Sequence, residues 1–132
     1  MNVSKGHAQD HTPRRLIVAG SRGYTDKARA FEILDKVAAD YANHGLLIEI
    51  VSGLAKGPDL FGLEWAQAND FTVHEFPADW NKYGRRAGFI RNKQMAEFGD
   101  ALLALWDGKS RGTKMKIELA YEHDLGVAII TP

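Results

Sequence analysis

Apolar residues recur along this chain in two rhythms: short unbroken runs, and longer stretches at helical spacing. Leu16-Ile17-Val18-Ala19 is a run of the first kind and halts at Gly20, as a buried parallel strand does. Between Asp26 and Tyr41, residues Ala30, Ile33, Leu34, Val37, Ala38 and Tyr41 share one helix face. Lys27, Arg29, Glu32 and Lys36 fall mostly on the other face. Asn43-His44-Gly45 ends that helix, and Leu47-Ile48-Glu49-Ile50-Val51 predicts a second strand leading to Gly53. Pro58 suits the first turn of a helix, where a missing N–H forfeits nothing, and this helix is predicted to reach about Asn69. Phe71–Phe76 alternates as a strand does and stops at Pro77. The polar stretch Ala78–Arg86 predicts the longest loop, and Gly88–Phe98 a third helix. Ala101-Leu102-Leu103-Ala104-Leu105-Trp106, the most apolar segment, predicts a central strand. A turn through Thr113 leads to a fourth helix ending near His123, and Val127–Ile130 closes the pattern as a strand.

Five strands alternating with four helices predict an α/β fold, a parallel sheet covered on both faces and joined by right-handed crossovers. At 132 residues and 45% hydrophobic, the chain suits one ordinary core and not two. Residues 1–14 are expected to be a flexible lead-in and 15–132 the domain. Seventeen Lys and Arg balance seventeen Asp and Glu, so the bulk attraction that drives non-specific nucleic-acid binding is missing. The absence of cysteine excludes disulfides, thiolate metal sites and a cysteine nucleophile. No apolar run approaches the roughly 20 residues that span a bilayer. Met1–Thr12 is polar, with no apolar h-region of a secretory signal, so a cytoplasmic location and no membrane partner are expected.

Ligands of open parallel sheets bind beyond the carboxyl ends of the strands. Three loops there carry candidate chemistry: Gly20-Ser21-Arg22-Gly23, Gly53-Leu54-Ala55-Lys56-Gly57, and Gly108-Lys109-Ser110-Arg111-Gly112-Thr113. Each holds two glycines, a cation and the start of a helix. Glycines admit a ligand close to backbone N–H groups, helix N-termini favour anions, and Lys or Arg adds the counter-charge. The dinucleotide fingerprint G-x-G-x-x-G is missing, and Gly108-Lys109-Ser110 lacks the P-loop glycine, Leu103 standing in its place. Arg91-Asn92, early in the third helix, reads either as a solvated helix face or as a guanidinium and amide aimed at phosphate or ribose oxygens.

Val51-Ser52-Gly53-Leu54-Ala55-Lys56-Gly57-Pro58-Asp59, followed by Glu64-Trp65-Ala66, resembles the S-G-x-A-x-G-x-D…A signature of the SLOG superfamily, which unites DprA-type and LOG-type proteins. Gly88-Phe89-Ile90-Arg91-Asn92-Lys93-Gln94-Met95 and Asp107 to Thr113 resemble the G-x-I-R-N-x-x-M and D-G-x-S-x-G-T motifs of its YspA, cpYpsA-related branch. Phe76-Pro77-Ala78-Asp79-Trp80 also matches, so the similarity spans about Arg15 to Ile130. The resemblance implies a Rossmann-like three-layer αβα fold with a five-stranded parallel sheet. It further implies a nucleotide-type ligand, with no other cofactor, and a homodimer or larger assembly. Its site residues would be Gly20, Ser21 and Arg22; Gly53, Lys56, Gly57 and Asp59; Arg91 and Asn92; and Gly108, Lys109, Ser110, Gly112 and Thr113. Asp59 reads slightly better as a helix cap than as a ligand contact.

Three functions stay open on these residues. The first is a sensor or processing module for an NAD- or ADP-ribose-like nucleotide. The second is a nucleoside-monophosphate phosphoribohydrolase of LOG type. LOG-type enzymes carry P-G-G-x-G-T-x-x-E in the last loop, whereas here Asp107-Gly108-Lys109 replaces P-G-G. Met115 and Lys116 occupy the expected glutamate positions, leaving Asp107, Glu118 and Asp79 as the candidate acids. The third is DprA-like single-stranded DNA binding, with Arg85, Arg86, Arg91, Lys93, Lys109 and Arg111 as the groove and Trp80, Tyr83 and Phe89 for stacking. Trp65 and Trp106 read as core, Trp106 also lying where a base would stack, and Trp80 as a ligand or interface residue. His7 and His11 stand i,i+4 in the tail, His74 and His123 stand alone, and no metal is indicated.

Overall fold

The computed structural model describes residues 12–131. Residues 1–11 of the expected flexible lead-in, with His7 and His11, therefore lie outside the described residues, and Arg14 already belongs to the first strand. In chain order the elements are β1 (Arg14–Gly20), α1 (Lys27–Asn43), β2 (Ile48–Ser52), α2 (Pro58–Ala68) and β3 (Val73–Glu75). There follow α3 (Trp80–Tyr83), a 3-10 turn (Gly84–Arg86), α4 (Ala87–Phe98), β4 (Ala101–Leu105), α5 (Arg111–Glu122) and β5 (Gly126–Ile130).

The five strands form one parallel sheet in the order β3-β2-β1-β4-β5. β1 is thus the middle strand, and β4 is a central strand as expected, paired with β1 on one side and β5 on the other. Alternate residues of each strand feed two cores. Leu16, Val18, Ile48, Ile50, Leu103 and Leu105 meet Ala30, Ile33 and Leu34 of α1 and Trp65 of α2 on one face. Ile17, Ala19, Val51, Leu102 and Ala104 meet Met95 of α4 and Ile117 of α5 on the other. Helices on both faces make the three-layer Rossmann-like arrangement, and apolar burial at about 25 cal/mol per Å² holds it together.

Local chemistry sets the element ends. Asp26 caps α1, its side chain accepting from the Arg29 amide at 3.0 Å. Pro58 opens α2, as its fixed backbone angle favours. The stretch Ala78–Arg86 is not a loop, as its polarity suggests. Asp79 caps the short α3 by accepting from the Lys82 amide at 3.1 Å, and the 3-10 turn carries the chain straight into α4. Helices this short bury almost no apolar stripe, which is the signal that hydrophobic periodicity reads. The third strand is likewise shorter than Phe71–Phe76, because only Val73–Glu75 pairs with β2.

This winding decides where a ligand fits. The chain runs outward from β1 to β3, then crosses the sheet to β4 and runs outward again to β5. The direction reverses between β1 and β4, so the loops leaving their carboxyl ends part to leave a crevice.

Candidate functional site

That crevice is a cleft of about 400 Å³, within the usual range for small-molecule sites. Gly20, Ser21, Arg22 and Gly23 line it from the β1 loop, Ala55 from the β2 loop, and Arg91 and Asn92 from α4. Asp107, Ser110, Gly112, Thr113 and Lys116 complete it from the β4 loop and α5. Nine expected site residues (Gly20, Ser21, Arg22, Arg91, Asn92, Ser110, Gly112, Thr113 and the candidate acid Asp107) therefore face one space. Gly53, Lys56, Gly57, Asp59, Gly108 and Lys109 do not line it.

Those six residues act behind or beside the wall. A Cβ on Gly53 would stand 2.8 Å from Asp59 Oδ2 and 3.0 Å from Arg91 Nη1, so a glycine is what lets these two side chains close on the end of β2. Gly57, at φ +98°, brings its loop against the Ser21 carbonyl. Lys56 is exposed. Gly108 and Lys109 belong to a turn that Asp107 closes on itself, its Oδ1 accepting from the Lys109 and Ser110 amides at 2.8 Å each. Those two amides are consequently spent within the protein. They pull the Asp107 carboxyl below its ordinary pKa, with the Ser21 hydroxyl adding to the effect.

Asp59 is not a helix cap. The N-cap position of α2 is Gly57, with no side-chain hydrogen bond, and Asp59 is fully buried as the second residue of its first turn. Its Oδ2 lies 3.4 Å from Lys116 Nζ, an ion pair between side chains that are 0% and 9% exposed. Among the described residues its Oδ1 has no hydrogen-bond partner. Sequence reasoning placed Lys116 only as the residue at an expected glutamate position. Its spacing three residues from Thr113 on α5 sets both on one helix face and is the signal for its place in the cleft.

Arg91 donates Nε to Asn92 Oδ1 at 2.8 Å and Nη1 to the Gly53 carbonyl, which fixes the guanidinium across the gap between α4 and β2. Burial lowers the pKa of Arg91, with Asp59 opposing. Lys116 is lowered for the same first reason, its carboxylate partner again pushing back and neighbouring Arg91 and Arg22 adding to the fall. On the opposite wall Ser110 caps α5, accepting from the Thr113 amide, and Ser110 Oγ and Thr113 Oγ1 stand 3.2 Å apart. Among the described residues, the amides of Arg111 and Gly112 in the first turn of α5 have no hydrogen-bond partner. They are the free donors that helix N-termini offer to anions.

Among the candidate acids, Glu118 is exposed on α5 and away from the cleft lining, and Asp79 is engaged as the cap of α3. Trp65 is core and donates Nε1 to Asp35. Trp106 is half-buried and donates Nε1 to the Ser110 carbonyl at 3.0 Å, which ties the last loop down. Trp80 is exposed. Among the described residues no helix is long and apolar enough to cross a membrane, and no group of three or more His, Asp or Glu is placed to hold a metal.

A parallel sheet with this strand order, reversing its winding between β1 and β4 and flanked by helices on both faces, defines a Rossmann-like α/β domain. The chain belongs to the YspA, cpYpsA-related SLOG family, whose model it matches over residues 14–83. It is 31% identical over 107 residues to the Gene 61 protein of Mycobacterium phage D29, covering 76% of this chain and 83% of that one. Among solved structures it is similar to DNA processing protein A (DprA) from Streptococcus pneumoniae, with a TM-score of 0.67 and 21% identity over 89% of this chain. It is also similar to the DNA processing protein A from Helicobacter pylori, a protein described by its single-stranded DNA binding mode, with a TM-score of 0.66 and 18% identity. The chain spans 50% of the first of these structures and 65% of the second, and likeness at such identity shows the shared fold.

Proposed function

We propose that the chain binds a nucleotide or a nucleotide-derived phosphate ligand of the NAD or ADP-ribose kind in this cleft, as a sensor or processing module. One observation carries the reading. Arg22, Arg91 and Lys116 converge on the same crevice as the free amides at the start of α5 and the hydroxyls of Ser110 and Thr113. Phosphate needs charge and many donors together, and this wall supplies both. Isothermal calorimetry of the purified protein against AMP, ADP-ribose and NAD tests it. Binding of one of them that is lost in Arg91→Ala is the expected result, and heats indistinguishable from buffer with all three would sink the reading.

The hydrolase alternative is less supported. Asp107 has its pKa held down by amides, the opposite of what a general acid needs, and neither Glu118 nor Asp79 lines the cleft. Release of free base from added nucleoside monophosphates is its assay.

A second reading rests on a different surface. Trp80 and Phe89 are exposed, the Trp80 ring lies 3.6 Å from where a Cβ on Gly88 would stand, and exposed Arg85 and Arg86 lie between them in sequence. Aromatic faces beside arginines suit stacking of unpaired bases. A salt-sensitive mobility shift with single-stranded oligonucleotide, abolished in Trp80→Ala, is the expected signature of that function. Pairing of two copies, which the family resemblance implies, is read by sedimentation equilibrium.

A further inference from the structure

The floor of the cleft carries more positive charge than its own carboxylate matches. Lys116 on α5 pairs with Asp59 at 3.4 Å, Arg91 on α4 feels the same carboxylate, and among the described residues Asp59 on α2 is the only carboxylate that acts on both. Two cations therefore face one anion where water screens weakly. Arg22 adds a third positive charge at the rim. Asp107, the remaining charged group of the lining, is exposed to solvent and accepts from the amides of its own turn.

Access to these groups is from one end. Arg22, Gly23, Asp107 and Gly112 at the rim are exposed, whereas Ser21, Asn92, Thr113 and the Lys116 side chain are nearly or wholly buried. What reaches Lys116 is the end of a ligand and not its middle. A phosphodiester inside a longer molecule has two free oxygens and one charge, and its chain must leave the site on both sides. A terminal phosphate has three free oxygens and about −1.5 to −2 charge at neutral pH. Around it here stand Lys116 Nζ, the remaining guanidinium N–H groups of Arg91, two hydroxyls and two helix amides, more donors than a diester can accept.

Narrowing the nucleotide reading above from the NAD and ADP-ribose kind to nucleotides that end in a phosphate, we infer that the cleft seats a terminal phosphate monoester end-on, and that Lys116 sets its preference over phosphates substituted on both sides. Lys116 acts here as a specificity residue. Its ammonium, held by Asp59, points the surplus charge at the deepest oxygen, which a diester cannot present.

The test compares AMP, the methyl ester of its phosphate, and ADP-ribose by calorimetry on the full chain. Wild type is expected to bind AMP roughly tenfold or more tighter than either its methyl ester or ADP-ribose, whose phosphates are all substituted on both sides, the scale of one charge-assisted hydrogen bond. Lys116→Met should bring AMP down to the ester's affinity, and Lys116→Arg should keep the preference. The double variant Asp59→Asn with Lys116→Met removes the pair together, so that only Arg91, still bonded to Asn92 and the Gly53 carbonyl, keeps its charge there, and should also lose the preference. Equal affinity of wild type for AMP and its ester, tighter binding of ADP-ribose, or a preference that survives both methionine variants overturns the inference while leaving nucleotide binding intact. Failure of all three ligands to bind wild type removes both.

Discussion

The hydroxyl of Ser21 accepts a hydrogen bond from the Asp107 amide at 3.0 Å, joining the loops that leave β1 and β4 at the point where the sheet's winding reverses. Ser21 is buried, and its own amide donates to the Leu105 carbonyl at 3.0 Å, so it closes the root of the cleft. Ser21→Ala strands the Asp107 N–H without that acceptor. A loss of about 1 kcal/mol follows, read as a lower denaturant midpoint at unchanged slope. A midpoint equal to wild type would show that the brace is dispensable.

Glycines around the cleft separate into two kinds. A Cβ on Gly20 would stand 2.3 Å from the Leu105 carbonyl oxygen and 2.5 Å from Pro58 Cγ, both parts of rigid backbone or ring. Gly20→Ala is therefore expected to destabilise by about 1–3 kcal/mol or to prevent folding. A Cβ on Gly112 would meet nothing within 4 Å, and the residue lies in the first turn of α5. Gly112→Ala should leave thermal stability equal or raise it by up to about 1 kcal/mol, and yet weaken nucleotide binding, because the new methyl faces the cleft. Unchanged affinity would take the start of α5 out of the site.

The sheet and four of its helices were legible in the sequence because Leu16–Ala19 and Leu102–Leu105 bury as unbroken runs, while Ala30, Ile33 and Leu34 bury at helical spacing between exposed neighbours. What escaped was local or long-range. Trp80–Arg86 folds on a side-chain cap and a tight turn with no apolar stripe to show for it. Lys56 and Lys109 looked like site cations because they lie in glycine-rich loops, but spacing cannot say which way a loop faces. Lys116 went the other way: its worth lies in a buried partner 57 residues distant, Asp59, and only the folded chain brings them together.

Asp107 predicts a pH effect confined to one loop. The Ser110 and Lys109 amides lower its pKa in the folded protein, so the stabilisation it gives is present above the ordinary aspartate value. It is lost as pH falls through the lowered folded value. Nitrogen-detected NMR should show the Lys109 and Ser110 amides shifting together on acidification, and Asp107→Asn should abolish that shift. Independent movement of the two amides would contradict the shared acceptor.

Asp59 and Lys116 form a pair in which removal of either partner is worse than removal of both. Asp59→Ala leaves Lys116 and Arg91 facing each other at the cleft floor without a carboxylate, and a loss of about 3–5 kcal/mol is expected for breaking a buried pair this way. Asp59→Asn with Lys116→Met should recover much of it. A double variant no more stable than Asp59→Ala alone would mean that the two side chains do not act as a unit.

Lys116 also predicts how ligand affinity responds to pH. Burial lowers its pKa in the ligand-free protein, with Asp59 opposing that fall and Arg91 and Arg22 reinforcing it. Between that lowered value and the ordinary lysine value, the unfolded chain holds a proton that the folded one has released, so this group's share of stability rises with pH across that window. A bound anion reverses the balance, because it favours the charged ammonium and raises the pKa. Binding should accordingly take up a proton when the pH lies at or above the free protein's Lys116 value, and affinity should fall as pH rises through it. Calorimetry of AMP binding in two buffers of different ionisation enthalpy measures that uptake directly. Lys116→Arg, which stays charged throughout, should bind with no such uptake. An alkaline fall in affinity that persists in Lys116→Arg would assign the titration to another group.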